Sequence, residues 1–263
     1  MLKKSPLFIA ILAVNIVCYA AASSQSPGHP ITEYGIVQME NPDSPVNQLS
    51  SGQKADGWIL LFNGKNMNGW RGYQHKSTSA WDVEDGILHC NGNKKGAAPT
   101  DLITDGQYAN FILTIQWKIS HAANSGIMFH VNEDYPYTFT SGPEYQIIDD
   151  KGWPGKLEPW QHTGCNYAMQ VPDIDMTKPV GEWNTTKIVV NGPHVQHYLN
   201  GTLILQYDLW SPEWYKEKAK SKWKDDLAYG KFKTGHIALQ YHGGDVWFRN
   251  IKLKVLPASD HDQ

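Results

Sequence analysis

Residues Asn110 to Ser120 alternate. Ile112, Thr114, Gln116 and Lys118 take one set of positions, and Phe111, Leu113, Ile115, Trp117 and Ile119 take the other. This period of two marks a strand buried on one face. Val246 to Val255 alternates in the same way. Between Lys187 and Tyr207, Asn191-Gly192 and Asn200-Gly201 separate three β-rich runs, which predicts a three-stranded meander. Asp85-Gly86 lies between Trp81–Glu84 and Ile87–Cys90 and predicts a hairpin turn. Further strands are expected at Trp58–Phe62, Gly126–Val131, Glu144–Ile148 and His236–Tyr241. One helix interrupts them, from Ser211 to about Ser221. Ser211 is its cap, Pro212 its first residue and Glu213 an acid in its first turn. Lys216, Lys218, Lys220 and Lys222 read as a solvated face. About a dozen short strands and one helix predict an all-β protein, a β-sandwich or jelly roll. No repeat period supports a propeller or solenoid.

The ends differ from this texture. Lys3 and Lys4 precede the apolar stretch Leu7–Val17, and Ala20-Ala21-Ala22 follows. That is the pattern of a signal peptide, residues 1–22, cleaved near Ala22. An export address places the protein in the periplasm or outside the cell. Lipidation at Cys18 is disfavoured by bulky Val17 before it. Residues 23–51, punctuated by Pro27, Pro30, Pro42 and Pro45, read as a tether or extended strap. One uniform domain follows over residues 52–257, then a polar tail, 258–263.

Composition narrows the class. The chain has 263 residues with 11 Trp, 12% aromatics and only 19% charged residues, which excludes a disordered chain. A net charge of −3 with no basic stripe argues against nucleic acid as a partner. No internal apolar run is long enough for a membrane span. Cys90 and Cys165 remain after signal removal and read as two buried small side chains rather than a disulfide framework.

Three stretches could carry chemistry. In Glu144-Tyr-Gln-Ile-Ile-Asp149, Glu144 and Gln146 share a strand face while Asp149 points the other way. A bulge near Ile147-Ile148 would bring Asp149 round to join them. The long loop from Lys151 to Gly164 carries Trp153, Trp160 and His162. Its indoles suit stacking on a sugar face. His242 ends a strand before Gly243-Gly244, and His130 ends Ile127-Met-Phe-His130. His89, His121, His194, His197 and His236 read as structural. No nucleophile elbow, Walker loop or dinucleotide fingerprint occurs.

Several motifs, in this order, resemble one family. They include Trp58-Ile-Leu-Leu-Phe-Asn-Gly64, Asn124-Ser-Gly-Ile127, Glu144-Tyr-Gln-Ile-Ile-Asp149, Gly181-Glu-Trp-Asn184, His197-Tyr-Leu-Asn-Gly201 and His236 to Ile251. The family is that of the 3-keto-disaccharide hydrolases, long labelled DUF1080. The resemblance implies a concanavalin A-like jelly roll of two curved antiparallel sheets. It also implies action on glycosides already oxidised to a ketone at C3. Such a ketone acidifies the C2 proton, so a base can remove it and the C1 substituent can leave. On that reading Glu144, His162 and His242 are the candidate catalytic residues. His130, Gln146, Asp149, Trp153 and Trp160 are the candidate substrate-binding residues. A divalent metal ion is a possible cofactor of such a His/carboxylate set. Two alternatives stay open: a non-catalytic sugar-binding module using Trp153 and Trp160, or an ordinary β-glucan hydrolase. In the latter, Glu144, Gln146 and Asp149 would match a Glu-x-Asp-x-x-Glu strand with its acids degraded.

Overall fold

A computed structural model describes residues 45–257; the signal peptide, most of the tether and the polar tail lie outside them. The strands are β1 (Trp58–Leu60), β2 (Trp70–Gly72), β3 (Trp81–Glu84), β4 (Ile87–Asn91), β5 (Leu102–Thr104), β6 (Phe111–Ile119) and β7 (Asn124–Val131). They continue as β8 (Glu144–Ile148), β9 (Asn184–Asn191), β10 (His194–Leu199), β11 (Thr202–Asp208), β12 (His236–Leu239) and β13 (Asp245–Val255). The helices are α1 (Ser51–Ala55) and α2 (Pro212–Lys218). An eight-stranded sheet runs β11-β10-β9-β6-β13-β4-β3, with β1 also paired to β13. A five-stranded sheet runs β2-β5-β12-β7-β8. All pairings are antiparallel, as a jelly-roll β-sandwich requires.

The alternating runs explain the layers. Phe111, Leu113, Ile115 and Trp117 of β6 share one buried cluster with Ile127 and Phe129 of β7, Tyr145 and Ile147 of β8, and Ile237 and Leu239 of β12. This is the core between the sheets. Each such side chain contributes about 1.5–3 kcal/mol by leaving water. Met128, Ile103 and Ala238 belong to a separate cluster on the other face of the small sheet. The Asp85-Gly86 and Asn200-Gly201 hairpins form as predicted, but the first turn of the meander is Gly192-Pro193, because Asn191 stays in the ladder opposite His194. Asp85 and Gly86 have φ of 50° and 76°, and Asn200 and Gly201 have φ of 50° and 89°. Helix α2 is capped by the Ser211 side chain, which accepts from the Trp214 amide. A second short helix, α1, is held by a Ser50/Gln53 capping box.

The last part of the strap is fixed to the sandwich. The Asn47 amide donates to Asn250 Oδ1 at 2.5 Å, and the Asn250 amide donates back to Asn47 Oδ1 at 2.8 Å. Both residues are buried, and each adopts the left-handed conformation, at φ 55° and 50°. Asn250 sits at a register shift of β13 against β6. Cys90 and Cys165 are unpaired and buried. Burial pushes the Cys165 thiol up to about 12. Among the described residues no helix is long and apolar enough to cross a membrane.

Candidate active site

The free face of the small sheet is the site. Strand register lines up residues across it. Gly72 of β2 pairs with Leu102, Leu239 with Leu102 and Ile127, and Gly126 with Gln146. One residue further along, Asp101, Gln240, Gly126 and Gln146 form one row, and Ile103, Ala238, Met128 and Glu144 form the next. The edge of β8 is extended by the segment after His162. Tyr145 bridges Asn166, the Tyr167 amide donates to the Glu144 carbonyl at 3.0 Å, and the Gln146 amide donates to the Cys165 carbonyl at 3.1 Å. Tyr167 therefore stands beside Glu144.

Glu144 is 3% exposed, and among the described residues none donates a hydrogen bond to its carboxyl. The carboxyl leans from β8 over the neighbouring strand, where a Cβ on Gly126 would lie 2.1 Å from Oε1. The missing side chain at Gly126 makes that space. Burial pushes Glu144 up to about 8; the Lys222 charge opposes this and Asp101 adds to it. Two buried amide oxygens share the face, Asn124 Oδ1 and Gln240 Oε1, and neither has a hydrogen-bond partner. Such groups are costly unless something donates to them. Asp101 is held by the Thr138 hydroxyl and by the Tyr241 amide, which donates to Oδ1 at 2.7 Å. Burial raises Asp101, while those donors and the charges of His242 and Lys76 oppose it.

The residues expected from the sequence separate into groups. Glu144 and Gln146 lie side by side on the free face, both buried. His242 is exposed, faces Asp101 electrostatically and meets the Trp153 ring edge-on at 6.4 Å. Its neighbour Gly243 accepts from the Asn124 amide at 3.4 Å, so this group lies at the Ile148 end of β8. His162 is also near that end, with Nδ1 3.0 Å from Asp150 Oδ1, and the Thr163 hydroxyl donates to Ile148. Ile148 is about 13 Å along the strand from Glu144. The three candidate catalytic residues therefore spread along a strip and do not meet at one point.

Three expectations are corrected. No bulge occurs in β8, which pairs with β7 in unbroken register from Glu144 to Ile148. Asp149 keeps the opposite parity and accepts from the amides of Ala122, Lys151 and Gly152, at 2.8, 3.3 and 2.8 Å. Burial alone would raise it, but those amides and His121 outweigh burial and hold it below the usual carboxylate range. Asp149 organises the loop, not substrate. We expect Asp149→Ala to lower stability by about 1–3 kcal/mol, read by thermal melting, because several buried amides lose their acceptor. The bulge lies one strand over. His236 pairs with Val131 but Ala238 with Met128, which leaves one extra residue in β7. His130 has φ 53° there, and its ring packs edge-on to Phe111 and Phe129. It is a core residue bonded to the Ala109 carbonyl. Trp160 is half-buried like Trp153, rests against the core and has its ring 5.6 Å from Tyr167.

The structure adds Asp101, Asn124, Gln240 and Lys222. Asn124 and Gln240 were legible in principle, since each keeps the parity of a free-face position on its strand. Among the described residues no three His, Cys, Asp or Glu side chains are grouped to hold a metal ion. The side chains present do not fit a divalent cation.

The sequence pattern of the 3-keto-alpha-glucoside-1,2-lyase-like domain matches residues 57–254. This chain belongs to that family. The family is one of carbohydrate-active enzymes. A relative from Bacteroides thetaiotaomicron, named 3-keto-disaccharide hydrolase, is 38% identical over 232 residues, covering 77% of this chain and 79% of its own. The crystal structure of a candidate glycosyl hydrolase from Parabacteroides distasonis superposes with a TM-score of 0.76 at 39% identity, covering 81% of this chain and 100% of its own. A second from that organism gives 0.60 at 27% identity, covering 76% and 99%.

Proposed function

We propose that the protein is an exported enzyme that cleaves 3-keto-glycosides by removing the proton at C2 and expelling the C1 substituent. The observation that carries this reading is the Glu144 carboxyl, buried, without a hydrogen bond from any described residue and laid over Gly126 on a face with two unpartnered amide oxygens. A carboxylate that titrates near 8 is a stronger base than an ordinary one and is matched to neutral operation. Asn124 and Gln240 are poised to accept from sugar hydroxyls, and Trp153 borders the same strip. The C2–H pair forms the enolate, the enolate expels the C1 oxygen, and a C1=C2 double bond remains. Water adds across it to give the free 3-keto sugar, or the unsaturated sugar leaves. The curated relative's name and the family description support a keto-sugar substrate. Export rests on the basic residues Lys3 and Lys4 before an apolar stretch.

The other two readings lose their footing. An ordinary β-glucan hydrolase would use Asp149 as a second acid beside Glu144, but Asp149 is bound into the loop. A binding module on Trp153 and Trp160 would leave the buried Glu144 carboxyl and the two unpartnered amide oxygens without a role. Assay in D2O separates all three. The 3-keto disaccharide should be cleaved with deuterium entering at C2, and the plain disaccharide should survive. Cleavage of the plain sugar, or a released sugar that keeps the original C2 hydrogen, would overturn the proposal.

A further inference from the structure

Proton abstraction next to a ketone needs a group that takes the charge on oxygen. The face around Glu144 is otherwise unsuited to that task, because Asp101 adds a second carboxyl. Lys222 is the cation whose field reaches Glu144. It follows α2 in the lysine-rich stretch, but its surroundings differ from its neighbours'. Lys220 pairs with Glu217 at 3.1 Å, and Lys218 donates to the Tyr229 carbonyl at 2.9 Å. The Lys222 nitrogen instead lies 4.0 Å from the centre of the Tyr167 ring and 4.2 Å from that of Trp223.

Those rings are fixed. The Trp223 indole N–H donates to the Tyr167 carbonyl at 3.0 Å, and the ring stacks on Tyr229 at 4.3 Å. Tyr167 is tied through its own amide to Glu144. The ammonium thus lies on the ring of the residue hydrogen-bonded to Glu144, and among the described residues no ion pair joins Lys222 and Glu144. Lys222 is exposed as a whole, but partial desolvation against the rings lowers it, while Glu144 opposes this. Cation–π contact keeps a partly desolvated ammonium in place at small cost.

We propose that Lys222 is a catalytic residue, the donor that holds the C3 oxygen of a keto sugar while Glu144 takes the C2 proton. This rests on the function proposed above. The C2–H electron pair moves into a C2=C3 bond, and the C3 oxygen becomes an enolate hydrogen-bonded to the ammonium. When the C1–O bond breaks, the C3 carbonyl re-forms. Solvent protonates the departing oxygen, and Glu144 returns its proton to solvent.

The test uses the full chain with Lys222→Met, Lys222→Arg and Lys222→Cys. Both cleavage and exchange of the C2 hydrogen with D2O are followed on a 3-keto disaccharide. Loss of one preorganised donor should lower kcat and exchange by about 10²–10³-fold with little change in KM. The acid limb of the pH profile should move upward in Lys222→Met, because Asp101 and burial then act on Glu144 without the opposing cation. Lys222→Arg should recover part of kcat. Aminoethylation of Lys222→Cys should restore activity, since Cys90 and Cys165 are buried and protected; that rescue also shows the variant is folded. Lys222→Met exchanging C2 as fast as the wild type would overturn the role of Lys222 alone. A wild-type enzyme that cleaves the 3-keto disaccharide while the original C2 hydrogen stays in the released sugar would overturn the proposed function with it.

Discussion

Glu144→Gln should lower turnover of a 3-keto glycoside by about 10²–10⁴-fold, the usual cost of a lost acid–base group. Substrate affinity should change little, because an amide fills the same space. The wild-type pH profile supplies a second check. Glu144 must be ionised to act as a base, and burial, opposed by Lys222 and assisted by Asp101, sets its titration near 8. The value of kcat/KM should therefore climb roughly tenfold per pH unit and level off near pH 8. The stability signature has the opposite sense. A carboxyl whose proton is bound more tightly in the folded state stabilises the fold fully below its unfolded value. That contribution is lost as pH rises through about 8. Glu144→Gln should thus melt higher than wild type at pH 8, and the difference should shrink toward pH 4. Near-normal turnover, or a melting difference independent of pH, would remove Glu144 from the reaction.

Gly126→Ala is expected to cost nearly as much activity with almost no loss of fold. The nearest atoms that a Cβ there would meet all belong to Glu144: Oε1 at 2.1 Å, Cδ at 2.8 Å and Cγ at 2.9 Å. None of these three nearest atoms is backbone, so the Glu144 side chain is what must swing aside. Stability should fall by about 1 kcal/mol or less, as for a surface-like adjustment. Turnover should drop about 10²-fold, since a base displaced by an ångström loses its alignment. Combining Gly126→Ala with Glu144→Gln should lower turnover no further than Glu144→Gln alone, because both changes act through one carboxyl. Additive losses would show that Gly126 serves substrate directly.

The long periodic strands were legible because alternation over β6 and β13 reports burial on one face, and the Asp85-Gly86 and Asn200-Gly201 turns because both central residues take left-handed φ; the turn between β9 and β10 fell one residue later, at Gly192-Pro193. Strands β2 and β5, three residues each, are too short to show a period. Their place is set by pairing with distant partners. At the site, Glu144 and Gln146 followed from parity alone. Asp149 followed the same parity, and the bulge invoked to override it is absent; the loop amides of residues 151 and 152, together with Ala122, satisfy its charge instead. A bulge does form at His130, where nothing in Ile127-Met-Phe-His130 distinguishes a misfit residue from an ordinary strand end. Lys222 was hidden by its neighbours. A run of lysines after a helix reads as a wet surface, and only the folded chain brings Tyr167 and Trp223 against one of them.

Strand β13 is the last element among the described residues and lies inside the large sheet, between β6 and β4, with β1 also paired to it. A chain emerging from the ribosome therefore makes both halves of that sheet well before the piece that joins them. The Asn47–Asn250 link spans 203 residues and waits for the same strand. Loop closure over such distances slows folding, and a nascent or C-terminally clipped chain has no complete hydrophobic layer to close around. The order of synthesis thus keeps the polypeptide open until this stretch is available, so the large sheet closes only after β13 has been made.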